Sequence, residues 1–185
     1  MSYTESKMLD LGIEAPEFDL PDTISNRFFS FNDCRGTKGT LIIFMCNHCP
    51  YVVHVIAQIV AIAEVYMAKG IGVAAISSND VENYPQDSPE NMKIFASEYS
   101  MQFPYLYDAS QSVAHAYDAA CTPDFYLFDE NNLLVYRGRM DSSRPGNNIP
   151  NDGKDLRNAL DRMLAGDGII EKQYPSGGCN IKWLK

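Results

Sequence analysis

The stretch Leu41-Ile42-Ile43-Phe44-Met45-Cys46-Asn47-His48-Cys49-Pro50-Tyr51-Val52 decides how this chain folds. Its first five residues are apolar without alternation, which reads as a strand buried on both faces. From Val52 to Met67 apolar residues fall on almost every side, which predicts a buried helix. Lys69-Gly70 ends it, since glycine suits a helix C-terminus. Between strand and helix stand Cys46 and Cys49, close enough to close a small disulfide ring. A helix N-terminus supplies free N–H groups and partial positive charge, and both favour a thiolate over a thiol. That is the chemistry of a dithiol/disulfide centre. Asn47 and His48 are poor core residues, so a pair of inert buried thiols fits the segment less well.

Outward from this segment, strands and helices alternate. Leu9 to Asp22 is an extended lead-in, with Pro16 and Pro21 excluding a helix. Arg27 to Phe31 reads as a short strand and Asn32 to Gly39 as a turn region. Ile71 to Ser77 is a second central strand. Asn79 to Pro89 is a polar loop, and Ser88-Pro89-Glu90 starts a helix running to about Tyr99, with Ser as cap and Pro at the first position. Phe103 to Tyr107 is a strand, and Ser110 caps a helix to Tyr117. Asp124 to Asp129 and Leu133 to Gly138 form a hairpin around Glu130-Asn131-Asn132. Asp155 to Leu164 is the last helix, and residues 174–185 form a tail. Parallel crossovers in the first half and a hairpin in the second predict an α/β fold, a mixed central β-sheet flanked by helices.

With 185 residues, 45% of them apolar, the chain can bury one core, and a single domain over 1–185 is expected. A net charge of −9 excludes the clustered basic surface that nucleic acid requires and disfavours an anionic membrane. Leu41 to Ala68 is interrupted by Asn47, His48, Pro50, His54, Gln58 and Glu64, so it reads as strand and helix rather than a membrane span. Met1 to Lys7 lacks the apolar core of a signal peptide, and a cytoplasmic location is expected. Thiols stay reduced there, so among five cysteines a close pair points to catalysis or metal binding rather than to a disulfide scaffold.

Further along, Cys121-Thr122-Pro123-Asp124 stands just before a strand. The strand, Cys46–Cys49, the long helix, Thr122-Pro123 and the following hairpin together resemble the thioredoxin fold. Ala15-Pro16-Glu17-Phe18-Asp19-Leu20-Pro21-Asp22 resembles the lead-in of the peroxiredoxin and alkyl-hydroperoxide-reductase branch, the AhpC/TSA-type redoxins. Phe44 to Val52, Tyr84 to Met92, Ser143 to Asn147 and Gly178 to Trp183 are similar to a bacterial peroxiredoxin-like thioredoxin family. The resemblance covers nearly the whole chain. It implies a thioredoxin-like fold with an N-terminal extension and a C-terminal tail.

The resemblance also implies a thiol–disulfide oxidoreductase in which Cys46 attacks and Cys49 resolves, supported by Asn47, His48, Pro50, Thr122 and Pro123. It implies a cis Thr122–Pro123 bond facing the dithiol, with the Thr122 backbone left to pair with an extended substrate. The partners implied are a protein or small-molecule disulfide and a reductant, with no cofactor. His48 stands where oxidising C-P-H-C motifs carry a histidine, and from there it can lower the pKa of Cys46. Cys46 is accordingly expected to be the more exposed thiol, with a depressed pKa. Peroxiredoxins resemble P-x-x-x-T-x-x-C; here Ile42 and Cys46 take the Pro and Thr positions, and Arg137 and Arg139 are displaced from the expected arginine. Thioredoxins carry a buried acid where Thr40 stands.

Two other readings stay open. One is a thiol peroxidase using Cys49 or Cys46. The other is a metal module of Sco type, with Cys46, His48, Cys49 and His54 as soft ligands for Cu(I) or Zn(II). Cys121 and Cys179 are candidate auxiliary thiols, the latter in a tail that Gly177-Gly178 would let swing; Cys34 reads as a bystander. Trp183 is expected to dock on an apolar surface.

Overall fold

The computed structural model describes residues 2–185, so Met1 of the expected 1–185 domain lies outside the described residues. Three short strands lead in: β1 (Tyr3–Glu5), β2 (Asp19–Pro21) and β3 (Phe28–Ser30), the last two paired antiparallel. The strand expected over 27–31 stops early because Ser30 caps a one-turn helix, α1 (Phe31–Cys34). The Ser30 hydroxyl accepts from the Asp33 N–H, and the Asp33 carboxylate accepts from the Ser30 N–H. This reciprocal capping box puts a helical turn where a plain turn was expected.

The remaining elements are β4 (Gly39–Phe44), α2 (Pro50–Met67), β5 (Ile71–Ser77), α3 (Pro89–Glu98), β6 (Tyr105–Tyr107), α4 (Ser112–Ala116), β7 (Cys121–Thr122), β8 (Asp124–Asp129), β9 (Leu134–Gly138), α5 (Lys154–Ala165) and β10 (Gly177–Asn180). The main sheet runs β6-β5-β4-β8-β9. β4, β5 and β6 are parallel, while β8 and β9 return antiparallel, which gives the expected mixed sheet. All six residues of β4 are buried, because the sheet is covered on both faces. Leu41 and Ile43, followed by Met45, pack with α2, α3 and α5. Ile42 and Phe44 pack with Phe31, Tyr117 and the lead-in residues Phe18 and Leu20. Period-two geometry thus feeds two cores from one unbroken apolar run.

α2 is less enclosed than its sequence suggests. Val52, Val55, Ile56, Ile59, Ile62, Ala63 and Tyr66 form one buried stripe, while Val53, Val65 and Met67 are exposed. The helix is long and apolar enough to cross a membrane by composition, yet this stripe belongs to the core. Each fully buried aliphatic contributes roughly 2 kcal/mol of burial free energy, so the stripe anchors the helix firmly. α3 starts as expected, with the Ser88 side chain accepting from the Asn91 N–H and Pro89 opening the helix. α4 starts later than expected. Ser110 bonds Ser112 and Asp108, and Gln111 takes a left-handed conformation with φ 62°.

The tail is an ordered strand. β10 lies between β1 and β7, antiparallel to both, with Cys179 opposite Tyr3 on one side and Thr122 on the other. Beyond β10, the Gln111 side chain donates to the Ser78 and Lys182 carbonyls and accepts from the Leu184 N–H, which holds the last residues in place. Trp183 docks on an imidazole rather than an apolar surface, stacking on His115 at 4.4 Å between centroids.

Candidate active site

Cys46 lies just past the end of β4, and Cys49 is the N-cap of α2 with Pro50 as its first residue. Thr122 meets both sulfurs. Its Oγ1 is 3.5 Å from Cys46 Sγ, and its carbonyl oxygen is 3.3 Å from Cys49 Sγ. The Thr122–Pro123 peptide is cis. Cys46, Cys49, Thr122 and Pro123, distant in sequence, therefore converge on one point.

The two thiols are almost equally buried, and their pKa directions are the reverse of those expected. Cys46 is 1% exposed and Cys49 is 0% exposed, so neither offers an open sulfur. A hydrogen bond to Cys49 holds the Cys46 thiol well above its usual pKa, and burial and the Asp87 charge push it the same way. Cys49 moves down to about 5. The bond from Cys46 does most of this against the opposing effect of burial, with further help from Thr122, Cys179 and the Val52 N–H. Both directions share their largest cause, the contact between the two sulfurs, which favours charge on Cys49 over Cys46. Cys49 also caps α2, where the helix's partial positive end favours charge.

His48 does not serve Cys46. Its Nδ1 is 2.6 Å from Asp87 Oδ2, and its ring stacks on Tyr84. Asp87 is fully buried and is the hub of the loop. Its Oδ1 accepts from the Asn47 and His48 backbone N–H groups, and its Oδ2 also accepts from Asn79 Nδ2 at 2.7 Å. Burial alone would raise this carboxyl, but the bonds from His48, Asn79 and Asn47 outweigh it and hold it below its ordinary value. An ionised Asp87 places the His48 proton on Nδ1. Asn47 completes the frame, accepting from Tyr105 Oη at 3.0 Å and donating to the Gln86 carbonyl.

Cys46, His48 and Asp87 bring their ligand atoms within 4.8 Å of one another. His54, the other candidate ligand, bonds Ser143 Oγ at 2.7 Å instead. A cation at this cluster would compete with four hydrogen bonds already held by Asp87. The two displaced arginines serve the frame. Arg137 donates to the Leu9 carbonyl and to Gln173, and Arg139 pairs with Asp155 at 2.7 Å. Thr40 is buried in β4, and the buried acids near the site are Asp87 and Asp124. Burial raises Asp124 to about 8 even though the Tyr126 hydroxyl and the Phe125 N–H donate to it.

Of the auxiliary thiols, Cys121 is buried beside Thr122 in β7, and burial pushes its pKa far up. Cys179 lies in the buried cluster that holds Cys46 and Cys49, and burial raises its thiol to about 12. The expected freedom of the Thr122 backbone is absent, because β10 occupies it. The glycines before Cys179 serve close packing instead of mobility: a Cβ at Gly178 would lie 2.0 Å from the Thr122 carbonyl oxygen, and one at Gly177 would meet the Tyr3 ring. Gly178→Ala is therefore expected to lift β10 from β7. The measurement is the alkylation rate of Cys49 in native protein, which should rise at least about tenfold as local opening becomes cheaper by roughly 1.4 kcal/mol or more. An unchanged rate would mean that β10 is not the cover.

The main residues missed in the sequence are Asp87, Asn79, Tyr105 and Gln111. Asp87 lies inside the resembling stretch Tyr84 to Met92, which was the available signal, but nothing in its spacing ties it to His48.

Comparison with known proteins bears on the family and the fold. The AhpC/TSA family model matches residues 11–137. The thiol-disulfide oxidoreductase ResA of Geobacillus thermodenitrificans is 25% identical over 129 residues, 70% of this chain and 69% of that protein. A conserved protein of known crystal structure from Geobacillus kaustophilus is 52% identical, with a TM-score of 0.98 over 100% of this chain and 97% of its own. The thioredoxin domain of a thiol-disulfide oxidoreductase from Bacteroides vulgatus, 18% identical, shares the fold at a TM-score of 0.65, over 85% of this chain and 99% of its own. With a thioredoxin-like sheet, a C-x-x-C at the strand–helix junction and a family match over most of its length, the chain belongs to the AhpC/TSA family.

Proposed function

We propose that this protein is a thiol–disulfide oxidoreductase whose Cys46 and Cys49 cycle between dithiol and disulfide. The observation that carries this reading is the placement of the two sulfurs: Cys46 just past β4 and Cys49 at the cap of α2 both meet Thr122, which precedes the cis proline. The Cys49 thiolate attacks one sulfur of a substrate disulfide, and the substrate's other sulfur leaves as a thiolate that takes up a proton. Cys46, on losing its proton, attacks Cys49 Sγ. The Cys46–Cys49 bond forms, and the second substrate sulfur leaves. A reductant then returns the pair to the dithiol. This order reverses the one expected from sequence and follows the lowered pKa of Cys49 and its place at the cap of α2. A reducing, cytoplasmic setting suits such a cycle.

A peroxidase reading draws support from the low Cys49 pKa at the Cys-Pro position. Against it, Arg137 and Arg139 are committed elsewhere, and Cys46 stands where a threonine would polarise the peroxide. Reduction of insulin or a small disulfide should therefore outpace reduction of hydrogen peroxide at comparable concentration. Peroxide turnover that matches disulfide turnover would favour the peroxidase.

A further inference from the structure

The dithiol has a third sulfur beside it. Cys179 is 4% exposed, stands opposite Thr122 in the β10–β7 register, and belongs to the same buried cluster as Cys46 and Cys49. Thr122 joins the three: its carbonyl oxygen is 3.3 Å from Cys49 Sγ, its Oγ1 is 3.5 Å from Cys46 Sγ, and Cys179 is its partner across the sheet. The C-x-x-C spacing delivers Cys46, and a paired strand delivers Cys179. That strand is pinned. Tyr3 and Thr122 flank Cys179 in the sheet, Gly178 lies against the Thr122 carbonyl, and the Lys182 N–H donates to Asn79 Oδ1 at 2.8 Å. Asn79 in turn donates to Asp87, so the tail and the Cys46–Cys49 loop share one hydrogen-bond frame.

We propose that Cys179 is a third redox cysteine, which forms a disulfide with Cys49 in alternation with Cys46. The proposal rests on the reading of Cys49 as the active thiolate. From the Cys46–Cys49 disulfide, the Cys179 thiolate attacks Cys49 Sγ. The Cys49–Cys179 bond forms, the Cys46–Cys49 bond breaks, and Cys46 leaves as a thiolate that takes up the proton Cys179 lost. Two thiol-level sulfurs exchange places, and no outside oxidant is used. Burial raises the Cys179 thiol to about 12, so its thiolate is scarce at neutral pH and the exchange speeds up as pH rises. In the product, β10 is stapled across the start of α2 and Cys46 is a free thiol.

The test uses full-length protein with the Cys46→Ser substitution, treated with diamide, which takes up two electrons and two protons. Free thiols are trapped with N-ethylmaleimide, and the protein is digested without reduction and mapped by mass spectrometry. A Cys49–Cys179 linked peptide should appear in the majority of monomers. In wild-type protein oxidised to the Cys46–Cys49 disulfide, the Cys49–Cys179 peptide should form by exchange, about tenfold faster for each unit of pH. The wild-type arm keeps the test decisive if the variant does not fold. If wild type yields Cys46–Cys49 but neither arm yields Cys49–Cys179, the third-cysteine proposal fails and the dithiol reading stands. If wild type yields no Cys46–Cys49 peptide, the dithiol reading itself fails.

Discussion

Cys49→Ser is expected to lower disulfide turnover about a thousandfold or more, to the level of protein with both cysteines removed. The variant loses the thiol whose pKa is lowered, and with it the sulfur that Cys46 would resolve. Cys46→Ser behaves differently. Cys49 keeps its place at the cap of α2, so the first attack is expected to occur. Without Cys46 the mixed disulfide then persists at the C-x-x-C. A single-turnover assay with a chromogenic disulfide separates the two. Cys46→Ser should release one equivalent of thiol and retain the other half of the substrate, whereas Cys49→Ser should release none. The opposite pattern would make Cys46 the first nucleophile.

Asp87→Ala is expected to cost about 3–5 kcal/mol, because four buried or part-buried donors lose one acceptor at roughly 1–3 kcal/mol each before relaxation. His48 Nδ1, Asn79 Nδ2 and the Asn47 and His48 N–H groups would all lose their acceptor. At roughly 2–4 °C per kcal/mol for a chain of this size, Tm should fall by about 10 °C. The pH dependence has a fixed sign. The folded-state value of Asp87 is depressed below 3.8, so its contribution is complete above the unfolded value and is lost as pH falls through the folded one. The stability gap between wild type and Asp87→Asn should therefore be full at neutral pH and close in acid. Denaturant unfolding at both conditions checks this, and a gap that widens on acidification would contradict the assignment.

The elements set by local pattern were legible in the sequence. The apolar run of β4, the Ser88-Pro89 start of α3 and the β8–β9 hairpin each follow from residues within a few positions of one another. What escaped depends on partners far along the chain. Asp87 gains its role from residues 39 and 40 positions away, at His48 and Asn47. Cys179 is fixed by pairing with Tyr3 and Thr122, so glycines that suggested a swinging tail instead permit a tight strand. The expected charge on Cys46 rested on the nearby helix N-terminus and on His48. His48 is held by Asp87 instead, a partner 39 residues away, and it is Cys49 that caps the helix.

A reversible disulfide between Cys46 and Cys49 is tested most directly by equilibrating wild-type protein across glutathione buffers of graded poise. Each sample is quenched in acid, alkylated and mapped. The Cys46–Cys49 linked peptide should rise and fall reversibly along a two-electron curve, tenfold in ratio for each ~30 mV. Cys46 and Cys49 both fully alkylated at every poise would contradict a dithiol/disulfide centre in this protein.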